Sequence, residues 1–384
     1  MGCLLRPWPS ISAGIPIRKA NVSLSAVTQT ILRKMWPNRL FLLLLLLTPL
    51  ASAQINGVWR FAVSGDSRNC GDVVMPLIAQ HVHSDNALFY WHLGDFRAIY
   101  MVDQDYAQTH PGATMPDYLA GAWNDFIDSQ LAYFGTTPVF LALGNHENIP
   151  PKDHDQVLNQ FADWLNAPLI RDQRTKDGNP DPAVKGYYHW LVSGVDFITL
   201  DNSLNTFDAG QMAWLRDLLA RDAKDYSIRA LVIGMHEALP DSISADHSMN
   251  QSPDGTRTGR AVSDWLADFK FHTHKPVYVL ASHSHYYMKG IYNTKEWLTR
   301  SAALPGWIIG TAGAIRYQLP LEHGNAQEAK TAVYGYLLAT VDISKDDPIQ
   351  FEFHELNEDE VPQDTLNTYS PAVVHNCWVH NVQN

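Results

Sequence analysis

The segment Val139-Phe140-Leu141-Ala142-Leu143-Gly144-Asn145-His146-Glu147 joins an apolar run directly to three side chains that can bind metals or transfer protons. The apolar run is short and rich in residues that favour a buried strand. The polar residues follow at the carboxyl end of that strand, where ligands bind in α/β sheets. This stretch therefore predicts an α/β fold with a polar site at a strand end.

Four further segments repeat the arrangement, each placing Asp or His just after an apolar run. They are Ser64-Gly65-Asp66, Leu93-Gly94-Asp95, Ile233-Gly234-Met235-His236 and Ala281-Ser282-His283-Ser284-His285. Because ligands bind outside the carboxyl ends of strands in such sheets, we expect the five strand ends to converge on one site.

The donors on these segments are oxygen and imidazole nitrogen, with no thiolate required. Such a set suits Mn, Fe, Zn or Ni better than a structural zinc. Two metals about 3.5–4 Å apart need a bridging carboxylate, and a hydroxide held between them is a nucleophile near neutral pH. Asp95 is the natural bridge and Asp66 the natural terminal ligand. The other predicted ligands are neutral donors: Asn145, His236, His283 and His285.

His146 follows Asn145 directly and cannot easily bind the same metal from the same backbone turn. We expect it instead to protonate a leaving oxygen as the catalytic acid. Glu147 is predicted to orient His146 through a ring nitrogen.

Strand-type and helix-type patterns alternate from about Val58 onward, and 384 residues allow one large domain or two modest ones. The spacing predicts helices at 72–83, 116–134, 156–165, 208–219 and 258–271. Three polar segments, 103–115, 172–185 and 240–257, are predicted to be surface loops that carry specificity. Residues 54–356 are expected to form the main domain, and the tail at 357–384 shows no clear element.

The first 53 residues have the pattern of an upstream extension followed by a cleavable signal peptide. Arg39 precedes an apolar run from Leu40 to Leu50, and the small residues Ala51-Ser52-Ala53 that follow are typical of a cleavage site. The run is shorter than the roughly 20 apolar residues of a membrane span. We therefore expect a secreted or periplasmic protein without a stable membrane span after cleavage. The alternative is an amino-terminal anchor that stays attached.

Charge and cysteine content agree with export. Residues 1–53 contain six basic residues and no acid, so their removal changes the net charge from −12 to −18. An acidic chain of this kind is not expected to present a surface that binds nucleic-acid backbones. Cys70 and Cys377 remain in the mature chain and favour a disulfide in an oxidising compartment, the alternative being two free thiols.

The order Gly-Asp, Gly-Asp, Gly-Asn-His-Glu, a lone strand-end His and then His-x-His resembles the calcineurin-like metallophosphoesterase superfamily. The resemblance extends from Phe61 to about Val341. It implies a four-layer α/β/β/α sandwich, two divalent or mixed-valence metal ions, and hydrolysis of small phosphate esters. By position, the first metal would be held by Asp66, Asp95 and His285, and the second by Asp95, Asn145, His236 and His283.

The first motif departs from the usual Asp-x-His of that superfamily, because it reads Asp66-Ser67-Arg68. A protonated Arg cannot ligate a metal, but its planar fork suits phosphate oxygens. Arg68, Asn145 and His146 are therefore expected to contact the substrate, while a surface salt bridge is the alternative for Arg68. The position of the tyrosine ligand that purple acid phosphatases use is Ala98, and Tyr100 and Asn69 are weaker substitutes.

The residues leave several alternatives open. A phosphomonoesterase and a phosphodiesterase fit equally, and Arg68 motivates a non-catalytic or single-metal binding module on the same fold. A zinc peptidase is disfavoured because the chain has no His-Glu-x-x-His helix. Other polar residues are expected to be structural: Asp103 and Asp105 as solvated loop acids, and His81, His83, His92, His189, His247 and His272 as histidines without partners.

Overall fold

A computed structural model describes residues 57–178, 183–300 and 303–383 of the chain. The predicted extension and signal peptide at 1–53 lie outside these residues. Within the described ranges, no helix has both the length and the apolar character needed to cross a membrane.

Two β-sheets form the centre of the protein. Their strands are β1 (Trp59–Ser64), β2 (Tyr90–His92), β3 (Val139–Leu141), β4 (Tyr188–Val192), β5 (Val195–Thr199), β6 (Ala230–Gly234), β7 (Val277–Ala281), β8 (Tyr287–Lys289), β9 (Gly306–Ile309), β10 (Glu328–Lys330), β11 (Tyr334–Val341) and β12 (Ile349–Leu356). The first sheet has the order β12-β11-β1-β2-β3 and the second the order β10-β8-β9-β7-β6-β5-β4. Each sheet contains a run of neighbouring parallel strands, which is β1-β2-β3 in the first sheet and β5-β6-β7-β9 in the second.

The helices are α1 (Gly71–Ser84), α2 (Gln104–Thr109), α3 (Met115–Ser129), α4 (His154–Gln160), α5 (Ala162–Leu165), α6 (Pro168–Lys176), α7 (Ala209–Asp222), α8 (Pro253–Thr273), α9 (Lys295–Thr299) and α10 (Gln363–Val379). All five predicted helices are present, although two of them are divided. The 116–134 segment ends in a 3-10 turn at Leu131–Phe134, and the 156–165 segment splits into α4 and α5.

Side-chain alternation along the strands builds the layers. On β2, Tyr90 and His92 face the helical side, where Tyr90 stacks on Phe134 with ring centroids 4.5 Å apart. Trp91 points the other way, and its ring lies 5.1 Å from Trp190 of the second sheet. Since successive side chains of a strand point to opposite faces, β2 is buried on both sides.

The second sheet follows the same rule. Phe197 packs in the core between the sheets, whereas its neighbour Ile198 belongs to a separate core that α7 and α8 complete with Leu215 and Val262. The result is helices, sheet, sheet and helices in sequence, which confirms the predicted four-layer α/β/β/α sandwich.

The carboxyl tail is more ordered than the sequence pattern predicts. It forms α10, which is kinked at Ser370 and therefore lacks one continuous helical spacing of apolar residues. Cys377 of this helix is bonded to Cys70, which confirms the favoured disulfide. The buried guanidinium of Arg316 also donates hydrogen bonds to the carbonyl oxygens of Cys377 and Trp378. The prediction that residues 357–384 have no element was wrong.

Candidate metal centre

The five sequence segments converge as predicted. β1, β2, β3, β6 and β7 end within three residues of Gly65, Gly94, Gly144, His236 and His283, respectively. Three of the residues that follow these strands have left-handed backbones, with φ of 59° at Asp66, 60° at Asp95 and 66° at His283. Backbones of this kind cost free energy outside glycine and concentrate at functional sites. A Cβ on Gly144 would collide with the Asp95 carboxylate, so this close approach requires glycine.

The first cluster of donors, which corresponds to the predicted second metal, surrounds Nε2 of His236. Nδ1 of the same ring lies 2.9 Å from the Leu93 carbonyl oxygen, which only accepts hydrogen bonds, so Nδ1 carries the proton. Nε2 then lies 3.0 Å from Asn145 Oδ1, 3.0 Å from His283 Nδ1 and 3.3 Å from Asp95 Oδ1. Several lone pairs this close together fit a shared cation.

The second cluster corresponds to the predicted first metal. It contains Asp66, Asp95 and His285, all fully buried. His285 Nδ1 lies 2.6 Å from the Ile315 carbonyl oxygen, which leaves Nε2 as an acceptor 3.2 Å from Asp66 Oδ1. Asp66 Oδ2 accepts from the Ser282 hydroxyl and from the backbone N–H of His283. Burial opposes the charge of Asp66, but His285, His236 and Arg68 together outweigh burial and hold the pKa of that carboxyl well below its usual value.

Asp95 joins the two clusters. Its Oδ1 faces His236, while its Oδ2 lies on the side of Arg68 and His146. Neither Asp95 Oδ2 nor Asp66 Oδ1 has a hydrogen-bond partner in the described structure, although both are buried. Buried carboxylate oxygens without partners are costly. These orphaned atoms therefore fit bound metal ions, with Asp95 able to contact two of them.

Arg68 occupies the place of the missing imidazole in the second cluster. It is 4% exposed, and its Nη2 lies 2.9 Å from His285 Nε2. Nη1 donates a 3.4 Å hydrogen bond to the Tyr100 hydroxyl, and Nε lies 3.8 Å from Asp95 Oδ2. The surface salt bridge considered for Arg68 is therefore wrong, because the guanidinium is inside the site.

His146 is held with one ring nitrogen facing the centre. Its Nδ1 lies 2.6 Å from the Ala98 carbonyl oxygen, and its Nε2 lies 3.6 Å from Asp95 Oδ2. Burial lowers the pKa of His146. The Ala98 carbonyl, and not Glu147, orients this ring.

Glu147 has a different role from the predicted one. Its carboxylate accepts backbone N–H bonds from Gly144 at 2.7 Å and from Asp95 and Phe96 at 2.9 Å each. Burial raises the pKa of Glu147 to about 8. The side chain therefore joins two ligand loops through their backbones.

Asp103 and Asp105 are buried, contrary to prediction, because they hold the loop that carries Arg68. Asp103 Oδ1 accepts from the backbone N–H of Asn69, and Asp105 Oδ2 accepts from that of Asp72. The guanidinium of Arg97, itself fully buried, lies among the carboxylates of these two residues. The sequence signal for the burial of these acids was Arg97, which lies two residues after Asp95 and is followed closely by Asp103 and Asp105.

Two further side chains lie at the centre, although neither belongs to the predicted ligand set. The ring of Tyr317 stacks on His285 with centroids 4.0 Å apart. The ring of His247 lies 5.6 Å from that of His283 and 5.3 Å from that of Tyr317. His247 was expected to lack partners. It lies in the polar segment 240–257. The only sequence signal for a role of His247 was the prediction that this segment is a loop that carries specificity.

The fold and the site together define a metal-binding hydrolase of the α/β/β/α sandwich class. The sequence model of the calcineurin-like phosphoesterase family matches residues 60–287, which is more than half of the chain. The chain therefore belongs to the calcineurin-like phosphoesterase family and is a metal-dependent phosphoesterase.

Solved structures with similar folds have low sequence identity to this chain. PhoD has a TM-score of 0.49 and 15% identity, with 84% of this chain and 77% of that chain covered. A dimetal phosphatase from Danio rerio has a TM-score of 0.47 and 12% identity, with coverage of 78% and 98%. A purple acid phosphatase from yellow lupin, Lupinus luteus, has a TM-score of 0.46 and 14% identity, with coverage of 79% and 52%. No curated protein matches the sequence.

Proposed function

We propose that the protein hydrolyses phosphate esters at a centre of two metal ions that share the Asp95 carboxylate. The observation that carries this proposal is that Asp95 belongs to two groups of donors, one with His236 and His283 and one with Asp66 and His285, and the ligand atoms of each group lie within 4.8 Å of one another. Asp66, Asp95 and His285 would hold one ion. The other would be held by Asp95 with three neutral donors: Asn145, His236 and His283.

When bound, two divalent or mixed-valence ions of Mn, Fe, Zn or Ni supply positive charge for the phosphate oxygens and activate water. The residues of the chain supply the rest. Arg68 binds a phosphate oxygen through its buried planar guanidinium group, which lies beside His285. Asn145 contacts the phosphate from the first cluster. His146 would take a proton from water at Nε2 and donate it from the doubly protonated ring to the departing oxygen, since its Nδ1 proton is held by the Ala98 carbonyl.

A metal analysis paired with two chromogenic esters tests this proposal. We expect about two transition-metal ions per chain and turnover of para-nitrophenyl phosphate, its bis ester, or both. Which ester is faster separates a phosphomonoesterase from a phosphodiesterase. Replacing Asp95 by Asn should remove both ions and the activity. Full metal content in Asp95→Asn would overturn the shared-carboxylate centre.

A single-metal or non-catalytic binding module is the second candidate, and the position of Arg68 favours it. A permanent cation beside His285 competes with a metal ion for the same nitrogen. The same measurements separate the candidates. Zero or one ion per chain with no turnover of either ester would support the module and overturn the enzyme with two metals.

We also propose that the protein is exported to the periplasm or secreted after cleavage near Ala53. The pattern of residues 40–53 and the disulfide between Cys70 and Cys377 support this, because disulfides persist in oxidising compartments. Amino-terminal sequencing of the protein from fractionated cells tests it. A cytoplasmic protein that retains residues 1–53 would overturn it.

A further inference from the structure

A cavity of about 600 Å³ lies directly beside the candidate metal centre. Two of its lining residues touch proposed ligands, because the ring of Tyr317 stacks on His285 and the ring of His247 lies 5.6 Å from that of His283. A volume of this size accommodates a small organic molecule. The cavity thus begins where the phosphate would be bound and has room for the rest of an ester.

The floor of the cavity is tied to the loop that carries His283 and His285. The hydroxyl oxygens of Ser244 and Ser284 are 2.6 Å apart, and the Tyr286 hydroxyl donates a 2.6 Å hydrogen bond to Ser244. All three side chains are buried. A molecule resting on this floor would therefore have a fixed position relative to the two histidines.

One hydroxyl of the lining has no partner. Ser242 is 4% exposed, and its Oγ makes no hydrogen bond in the part of the chain that the structure describes. Leaving a buried polar atom unpaired costs free energy, which a ligand with a hydroxyl or amino group would recover. The ligand that fits this wall has hydrogen-bonding groups of its own.

The more exposed part of the cavity lining, here called its mouth, is acidic. Among the described lining residues, one lysine, Lys295, is set against four carboxylates: Asp241, Asp246, Glu296 and Glu322. Asp241 is already paired with Arg260 and Arg300. The remaining acids are exposed, so they act over a distance and repel a second anionic group on a ligand.

We propose that this cavity binds the alcohol part of the substrate, and that this part is a hydroxyl-bearing group that is uncharged or cationic. The inference rests on the proposed function and narrows it to phosphate esters of polyols or amino-polyols. Esters whose alcohol carries a carboxylate or a further phosphate are disfavoured by the acidic mouth.

Three sugar phosphates of nearly equal size test the charge preference. Glucosamine 6-phosphate is cationic at its sugar, glucose 6-phosphate is neutral, and 6-phosphogluconate carries a carboxylate. We expect kcat/KM to fall in that order, by about two- to fivefold per charge at an exposed mouth. For any ester that is not turned over, its inhibition constant against the faster chromogenic ester should follow the same order.

Charge reversal at the mouth provides the matched test. Asp246→Lys and Glu322→Lys should each shift the ratio of glucosamine 6-phosphate to 6-phosphogluconate toward the anionic ester. Glu352→Lys makes the same change on β12 of the other sheet, where the side chain is 82% exposed, and should leave the ratio unchanged. Ser242→Ala should raise KM for glucose 6-phosphate more than KM for para-nitrophenyl phosphate, whose ring has no hydroxyl group.

The outcomes separate this inference from the proposed function. Absence of turnover with every ester, including both chromogenic ones, would overturn the proposed function. Turnover of a chromogenic ester with equal constants for the three sugar phosphates would overturn the cavity assignment alone. An equal change of the ratio in Glu352→Lys and Asp246→Lys would also overturn it, because the effect would then come from net charge.

Discussion

The guanidinium of Arg68 lies with Nη2 2.9 Å from Nε2 of His285, the ring nitrogen that faces Asp66. A buried cation thus stands where the family motif usually places a histidine ligand. Burial opposes its charge, but Asp95 and other partners outweigh burial and raise the pKa of Arg68. Under the proposed function, we expect the second cluster to bind substrate phosphate more strongly, and metal less strongly, than one completed by imidazole.

Replacing Arg68 by His should strengthen metal binding at the second cluster. The new imidazole adds a neutral ligand and removes a competing cation, so we expect affinity for one ion to rise about tenfold or more. Metal content after graded dialysis against a chelator, measured by mass spectrometry, reports this directly. KM for a phosphate ester should rise in the same variant, because the fork that holds phosphate is lost.

Arg68→Lys is the control for that substitution. It keeps the positive charge but presents a single ammonium in place of a planar fork. We expect its metal retention to resemble that of the wild-type protein, while KM still rises. Equal retention in Arg68→His and the wild type would mean that Arg68 does not compete with a metal ion.

His146→Ala should slow turnover without releasing metal. The loss of a positioned acid typically costs about 10²- to 10⁴-fold, and the cost should be largest for an alkyl ester, whose alkoxide needs a proton to leave. Para-nitrophenol leaves readily as its anion, so para-nitrophenyl phosphate should be affected less. An equal fall with both esters, or a loss of bound metal, would contradict the assignment of His146 as acid.

Short-range patterns carried most of the prediction. The proposed ligands all lie within four residues of a strand end, so the pattern of glycine, acid and histidine after an apolar run was enough to identify Asp66, Asp95 and His236 as candidates. The parallel order of β1 and β2 then brought Asp66 and Asp95 together, because the carboxyl ends of parallel strands share an edge, whereas His236 follows β6 of the second sheet. The order of the layers follows equally from the local alternation of side chains between the two faces of a strand, as on β2.

The failures share a different cause, which is contact between distant parts of the chain. Glu147 stands next to His146 in sequence, but its partners are backbone groups that include those of Asp95 and Phe96, about fifty residues away. Asp103 is buried, contrary to the prediction, and one of its partners is the backbone N–H of Asn69, which lies 34 residues away in another loop. Spacing within one segment contains no information about such pairs.

A buried histidine away from the metal centre predicts a dependence of stability on pH. His189 Nδ1 lies 2.9 Å from Asp196 Oδ1, and Nε2 lies 2.5 Å from Asp177 Oδ2. Burial opposes its charge, but these carboxylates outweigh burial and raise the pKa of His189 to about 10. The folded pKa is above the unfolded value of about 6.5, so the stabilisation is complete below pH 6.5 and lost as pH rises through 10.

Urea unfolding of the wild type and of His189→Gln at pH 6 and pH 9.5 measures this effect. We expect the difference in free energy of unfolding to be largest at pH 6 and to shrink at pH 9.5. His272→Gln changes an exposed histidine near the end of α8 and serves as the control. A difference that stays constant or grows with pH would show that the His189 interaction is not ionic.

The disulfide between Cys70 and Cys377 should stabilise the protein and protect the loop that carries Arg68. It joins residues 307 positions apart and fixes α10 beside the start of α1, two residues after Arg68. Removing it with Cys70→Ser and Cys377→Ser together should lower the free energy of unfolding by roughly 2–4 kcal/mol. Reductant should destabilise the wild type by a similar amount and leave the double variant unaffected, which excludes a general effect of the reductant. If the double variant unfolds at the wild-type urea concentration, then contacts such as those of Arg316 hold the tail without the covalent bond.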